Sequence, residues 1–221
     1  MGSTDTIFHI YSRLFKNILT LSPVAVVNLF NGLFCTGYPI ESTIAFHWSE
    51  VNDKEIHRVI ADIVVTINDA DQYHMKVQMR GDDDILFQLS EYTYPPTDRN
   101  PAVEKEITTF QLLEQSVEEI NQKKLVCLIP FELLRLQKNI EKERSPKNLE
   151  ALRNLIQNDI IPSIDGNLRA GTIMIQDAEK LRSYTHELYH HMYSCYDGME
   201  ALNELTDTYF MTDVELLMRR C

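Results

Sequence analysis

The polar residues that could do chemistry in this chain lie on two stretches with the composition of β-strands. Residues 59–67 are dense in β-branched side chains, residues 73–79 alternate between polar and apolar ones, and the residues between them are typical of a turn. This pattern predicts a β-hairpin. Asp62 lies on its first strand, and Lys76 and Gln78 lie two residues apart on its second, so period-two geometry places Lys76 and Gln78 on one face.

A helix is predicted directly after this hairpin. The acidic run at residues 82–84 places negative charge where a helix N-terminus is stabilised by it. The residues that follow have apolar side chains at helical spacing, namely Ile85, Leu86, Leu89 and Tyr92. An earlier helix and a first strand, over residues 42–48, are predicted before the hairpin. The predicted order of elements is therefore helix, strand, strand, strand, helix.

An aspartate on one strand, a strand that carries acid-x-Lys or acid-x-Gln, and an amphipathic helix form a pattern similar to the core of the PD-(D/E)XK nucleases. More narrowly, Arg58, Asp62, the phrase YHM-x-VQM at residues 73–79 and the following helix resemble the nuclease-like transposase and recombination-promoting nuclease group. The resemblance covers residues 17–92, and the helical tract of residues 116–191 also looks like this family.

The resemblance implies an α/β fold. A restriction-endonuclease-like core, with a small mixed sheet flanked by helices, would be followed by an all-helical C-terminal extension. The boundaries that we expect are residues 1–94 for the core, 95–115 for a linker or shortened core insertion, and 116–221 for the helical region.

The activity implied by the resemblance is cleavage of DNA phosphodiester bonds in transposition or recombination. Asp62, Lys76 and Gln78 match the catalytic positions, with Asp62 as a ligand of Mg²⁺ and DNA as the partner. In such nucleases at least two carboxylates hold the ion that activates water, and a Lys or Gln beside them orients the water or stabilises developing charge. The family's second motif reads Glu-x-Gln, whereas this chain reads Lys76-Val77-Gln78.

Lys76 therefore places a cation where the resemblance expects the second acid. At a separation of a few ångström and an effective dielectric of ~20, its repulsion of the ion is on the order of several kcal/mol. We expect impaired cleavage and an ion pair between Lys76 and Asp62. Contact of Lys76 with phosphate and a role as a displaced catalytic lysine are alternatives. The alternative function is a catalytically inactive relative that binds DNA or protein.

The carboxylates near this site have two interpretations each. Asp62 could bind metal, or it could be a structural residue paired with Arg58, four residues earlier on the same strand face. The acidic run at residues 82–84 could cap the predicted helix, or one of Asp82, Asp83 and Asp84, or Glu91, could replace the missing metal ligand.

Composition limits the function classes. With 221 residues and a net charge of -12, the chain can bury a core, but its charge argues against broad, sequence-independent affinity for nucleic acid. No apolar run approaches the ~18 residues that span a bilayer, so we expect a cytoplasmic protein without membrane contact. The four cysteines lack C-x-x-C spacing, which favours reduced structural thiols.

The C-terminal half has helical patterns throughout. Ser116 begins a capping-box pattern, residues 124–142 predict a helix kinked at Pro130, and residues 107–113 fit either an edge strand or a helix. His186 and His190 could bind zinc across one helical turn, although a histidine-rich exposed face is the interpretation that we favour.

The proline-rich segment at residues 95–106 should be exposed, because its prolines leave backbone groups that only water can satisfy. Limited proteolysis followed by mass spectrometry of the fragments should therefore show the first cut in this segment. A first cut within residues 59–79 would instead show that the core assignment is wrong.

Overall fold

The computed structural model describes residues 3–48, 59–79, 84–91 and 108–210. The chain divides into two compact units, Met1–Glu114 and Gln115–Cys221. The described strands belong to the first unit, and the second unit is helical where it is described. The protein is therefore of the α/β class.

The first unit carries two helices followed by a five-stranded sheet. Its elements are α1 (Ser3–Ile18), α2 (Pro23–Phe34), β1 (Ile44–Trp48), β2 (Val59–Ile67), β3 (Asp71–Met79), β4 (Ile85–Glu91) and β5 (Thr108–Gln111). The strands lie in the order of the sequence, and each is antiparallel to its neighbour. The predicted mixed sheet is thus wrong for these strands, since none of the described strand pairs is parallel.

The predicted hairpin is confirmed as β2 and β3. Asn68 and Asp69 both have left-handed backbone angles, with φ of 53° and 55°, in the turn between the two strands. Asn and Asp tolerate this conformation better than other non-glycine residues, so the local sequence fixes where the chain reverses.

The helix predicted after the hairpin is wrong, since residues 85–91 form β4. Its seven residues pair with β3 from Met79 opposite Ile85 to Tyr73 opposite Glu91. The apolar spacing of this segment fits a helix locally, but pairing along a whole neighbouring strand outweighs such a weak preference. Ile85 and Phe87, two residues apart, are completely buried on one face of the strand, and Leu86 between them is 8% exposed.

Asp84 stabilises the start of this strand and does not cap a helix. It is buried, and its Oδ1 accepts hydrogen bonds from the backbone N–H of Ile85 at 2.7 Å and of Leu113 at 2.8 Å. The bond to Leu113 ties the beginning of β4 to the residues after β5. Asp82 and Asp83 lie outside the described residues.

One face of the sheet carries the core of the first unit. Phe87 lies at its centre, with ring-centroid distances of 5.8 Å to Phe15 of α1 and 5.9 Å to Phe110 of β5. The fully buried strand residues around it include Ile63, Val65, Met75 and Val77. Residues 108–111, within the segment predicted as a linker or shortened core insertion, thus supply both a strand and a core side chain.

In its described residues, 115–210, the second unit consists of helical segments. They are α3 (Val117–Gln122), a 3₁₀ helix (Val126–Leu136), α4 (Gln137–Lys142), α5 (Pro146–Asn154), a π-helical turn (Leu155–Ile160), α6 (Ile161–Arg169), α7 (Ile175–Met192) and α8 (Glu200–Phe210). The helix expected over residues 124–142 is mostly a 3₁₀ helix that contains Pro130. The proline ring clashes with the carbonyl group four residues earlier in an α-helix, so it disfavours that conformation here.

Serine caps begin three helices of the chain, α2 in the first unit and α3 and α5 in the second. Ser22 and Ser145, each followed by proline, accept hydrogen bonds from the backbone N–H of Ala25 and Asn148, both at 3.3 Å. Ser116 forms a complete capping box with Glu119, whose Oε2 accepts the Ser116 backbone N–H at 2.7 Å. These hydrogen bonds hold the pKa of the Glu119 carboxyl below its usual value.

No single helix in the described part of the chain has the length and apolar composition required to cross a bilayer. One strongly bent pair, Ile10–Ile18 with Pro23–Phe34 at 108°, meets these criteria when the two helices are counted together. Cys35, Cys127 and Cys195 are free thiols.

Replacing Phe87 by alanine should lower the free energy of unfolding by about 3–5 kcal/mol, because a fully buried ring leaves a cavity. Gln88→Ala, the next residue on the same strand, is the matched control. It should cost no more than about 1 kcal/mol, since its side chain is on the opposite face. Urea denaturation of the two variants measures both values, and equal losses would contradict the strand alternation of β4.

Candidate functional site

The candidate site residues of the first unit lie on the sheet face opposite the core. Along β3 buried and half-buried side chains alternate, and the half-buried ones include His74, Lys76 and Gln78. Asp62 on β2 and Gln88 on β4 belong to the same face. We call these five residues the polar face.

The register of the strands places the predicted site residues side by side. Asp62 is directly opposite Lys76, and Lys76 is directly opposite Gln88 on the other neighbouring strand. Side chains in directly opposite positions have Cβ atoms about 4.5–5.5 Å apart. Gln78 follows on the same face and pairs with Leu86. The three predicted residues therefore share one face around β3, the central strand.

The carboxylate of Asp62 is bound by His74. The distance from Nε2 of His74 to Oδ1 of Asp62 is 2.6 Å, and the two side chains are 24% and 18% exposed. His74 is opposite Val64, so this is a diagonal pair across two strands. Sequence reasoning missed His74, although it lies two residues before Lys76 and hence on the same face.

The expected ion pair between Asp62 and Lys76 is not formed within the described residues. Their positions are opposite each other, but the imidazole of His74 takes the carboxylate oxygen instead. A long lysine side chain loses more conformational freedom than a histidine does when it is held in one geometry. The shorter ring therefore competes well for a carboxylate at this distance.

The amide of Gln78 interacts with a second amide. Its Nε2 donates to Oε1 of Gln88 at 3.1 Å. Gln88 was missed because residues 85–92 were expected to be helical, and only the pairing of β4 with β3 brings it to Gln78. A local pattern gives no signal for this contact.

The other carboxylates considered as metal ligands do not complete a site in the described residues. Both hydrogen bonds to Oδ1 of Asp84 come from the backbone near the sheet junction, so this residue is structural. Arg58, Asp82 and Asp83 lie outside the described residues, as does the side chain of Glu91. Among the described side chains on this face of β2, β3 and β4, Asp62 is the only carboxylate.

These residues do not fit a magnesium ion. Mg²⁺ prefers octahedral oxygen coordination and is held through carboxylates. The polar face offers one carboxylate, which a histidine already binds, and it places the cationic residue Lys76 directly opposite on the adjacent strand. What the face does offer is an array of imidazole, ammonium and amide groups that can donate and accept hydrogen bonds.

Comparison of this chain with protein-family models, with curated proteins and with solved structures gives no match. The resemblance to the PD-(D/E)XK group therefore rests on the residues named above.

A double-mutant cycle can establish which residue binds Asp62. We expect Asp62→Ala and His74→Ala to be coupled by roughly 0.5–1 kcal/mol in the free energy of unfolding, because each removes the same hydrogen bond. The matched cycle of Asp62→Ala with Lys76→Ala should give a smaller coupling. Denaturant titrations of the six proteins supply the values, and a larger coupling to Lys76 would show that the lysine is the partner in solution.

Proposed function

We propose that this chain is a non-catalytic relative of the PD-(D/E)XK transposase and recombination-promoting nuclease group, and that it acts as a binding module through its polar face. The observation that supports this function is the environment of the Asp62 carboxylate. Its carboxylate is bound by His74 at 2.6 Å and is directly opposite Lys76, at the position where the resemblance expects a second acid. Such a carboxylate already has a hydrogen-bond partner in the protein, so one of its oxygens is less available to an ion.

The restriction-endonuclease-like core belongs to this proposal. Two helices before a hairpin, with Asp62 on one strand and Lys76 and Gln78 on the next, support it. The fifth element of the expected order, a helix, is replaced by β4, which lengthens the sheet on the side of β3. The relative that we propose has thus kept the hairpin and its polar residues and has extended the sheet beside them.

The charge of the polar face favours a protein partner over DNA. Lys76 is the only lysine or arginine among its described side chains, and the whole chain carries a net charge of -12. Affinity for DNA comes mainly from several Lys or Arg side chains that displace counterions from phosphates. The amides of Gln78 and Gln88, with the His74 imidazole, instead suit hydrogen bonding to polar groups of a protein.

A second candidate function is metal-dependent cleavage of DNA in transposition or recombination. The observation that favours it is the location of Lys76 and Gln78 beside Asp62, since a lysine or amide next to a carboxylate can orient water or stabilise developing charge. This function needs a second acid, and Glu91, Asp82 and Asp83 are the residues nearest in sequence to supply one.

The substitution Lys76→Glu distinguishes between the binding module and the metal-dependent nuclease. It restores the acid at the second motif, so Mg²⁺ or Mn²⁺ should raise the melting temperature of the variant and leave that of the parent unchanged. An ion at 100 times its Kd would add about 2.7 kcal/mol to the stability of the folded state. The variant should also nick supercoiled plasmid DNA in the presence of the metal, where the parent does not.

Two control variants make this experiment specific. Lys76→Gln removes the cation without adding an acid, and it should show neither effect. Adding Asp62→Ala to Lys76→Glu should abolish both. If the parent nicks DNA as fast as Lys76→Glu in a metal-dependent way, the chain is a nuclease and the binding-module proposal is wrong.

A further inference from the structure

Two histidines of α7 and one aspartate of α8 meet on the surface of the helical unit. His186 and His190 are four residues apart and therefore lie on one face of α7, with their ring centroids 4.2 Å apart. Their Nε2 atoms lie 2.8 Å and 3.1 Å from the same atom, Oδ1 of Asp207. One ligand atom from each of the three residues lies within 4.8 Å of the other two.

Contacts on both sides of Asp207 hold α8 against α7 independently of the histidines. The hydroxyl of Tyr189 donates to Oδ1 of Asn203, one helical turn before Asp207, at 2.8 Å. The buried Arg182 donates from Nη1 to the carbonyl oxygen of Tyr209, two residues after Asp207, at 2.9 Å. The aspartate is thus positioned by packing and hydrogen bonds, which is what a preorganised ligand site requires.

The distances within this cluster suit a metal ion after a small adjustment. Two ligand atoms that are each about 2.0–2.1 Å from a tetrahedral zinc ion are about 3.3–3.4 Å apart. The observed 2.8 Å and 3.1 Å would have to widen to this value, and the ligand atoms of the two histidines, which lie within 4.8 Å of each other, would have to reach it as well. The side chains of His186, His190 and Asp207 are 20%, 36% and 57% exposed, so small rotations can provide this change.

The donor atoms select a class of ion. Two imidazole nitrogens and one carboxylate oxygen are typical ligands of Zn²⁺ and its neighbours in the first transition row, whereas Mg²⁺ and Ca²⁺ prefer oxygen throughout. The exposure of the cluster leaves room for water in a fourth position. Without a metal, the two histidines share hydrogen bonds to one carboxylate oxygen, and these bonds lower the pKa of Asp207.

We propose that His186, His190 and Asp207 bind one Zn²⁺-type divalent ion that links α7 to α8. The ion would coordinate Nε2 of both histidines and a carboxylate oxygen of Asp207, with water completing the shell. Its effect is structural, since it joins two helices of the second unit and binds only when they are packed together. This site uses no residue of the polar face and is independent of the function proposed for it.

The experiment is a titration of the full-length, chelator-treated protein with Zn²⁺, followed by calorimetry and by thermal melting. The parent should bind one equivalent and melt at a higher temperature with zinc. His186→Gln, His190→Gln and Asp207→Asn should each lose more than the roughly 10- to 100-fold in affinity that removal of an outer-shell partner costs. All three residues are partly exposed, so the variants should fold, which far-ultraviolet circular dichroism checks.

Two variants on the same part of the chain are matched controls. His191→Gln removes the neighbouring histidine of α7, and Cys195→Ser removes the exposed thiol beyond its end. Both should keep the zinc affinity and the zinc-dependent rise in melting temperature. If zinc binding depends on Cys195 or His191 and not on the cluster, the proposed ligands are wrong.

Substitution of Co²⁺ for Zn²⁺ gives a second readout that does not depend on stability. The expected visible spectrum is that of a cobalt ion with nitrogen and oxygen ligands, without a thiolate-to-cobalt charge-transfer band, and it should disappear in Asp207→Asn. A thiolate band would place the ion on a cysteine and overturn the proposal. So would a parent protein that takes up no zinc, since the cluster would then be a hydrogen-bonded triad only.

Discussion

The register of β3 between β2 and β4 decides which side chains can act together in the first unit. Met75 and Val77 are fully buried, and the residues between and beside them are partly exposed. A shift of one residue would bury Lys76 and turn these apolar side chains toward water, so the hydrophobic core fixes the register. Because the register is fixed in this way, Asp62 must lie opposite Lys76, and Gln88 must lie within reach of Gln78.

Asp62 and Asp207, the two described aspartates considered as metal ligands, differ in the groups that the fold brings to their carboxylates. Asp62 has one histidine on the adjacent strand and a lysine directly opposite, and this arrangement favours a hydrogen bond over a metal ion. Asp207 has two histidines on one helix face and no lysine or arginine bonded to its carboxylate in the described residues. The number and charge of the neighbours, rather than the carboxylate itself, determine the chemistry that each site can support.

The two units are built by different kinds of interaction. The first depends on strand pairing between segments of the chain and on the aromatic contacts of Phe87, which reach from α1 to β5. The second packs helices around buried apolar side chains such as Leu128 and Leu188, with caps at Ser116 and Ser145 and side-chain hydrogen bonds between helices. Local signals therefore specify where several helices of the second unit begin, whereas distant pairing arranges the strands of the first.

The sequence by itself determined the elements whose signals are local. The turn at Asn68 and Asp69 and the serine caps involve residues a few positions apart, and their chemistry acts within that span. Likewise, the face shared by Lys76 and Gln78 follows from strand periodicity alone. These features required no knowledge of what packs against them.

Only the tertiary structure decided the conformation of residues 85–91 and the partners of Asp62 and Asp207, because the residues that they contact are distant in sequence. The apolar residues of 85–91 fit a helix or a strand, and pairing with β3 selects the strand. Lys76 was the partner expected for Asp62, and the geometry across the hairpin brings His74 to its carboxylate. Asp207 joins the histidines of α7 only because α8 packs against that helix, and no spacing in the sequence encodes that contact.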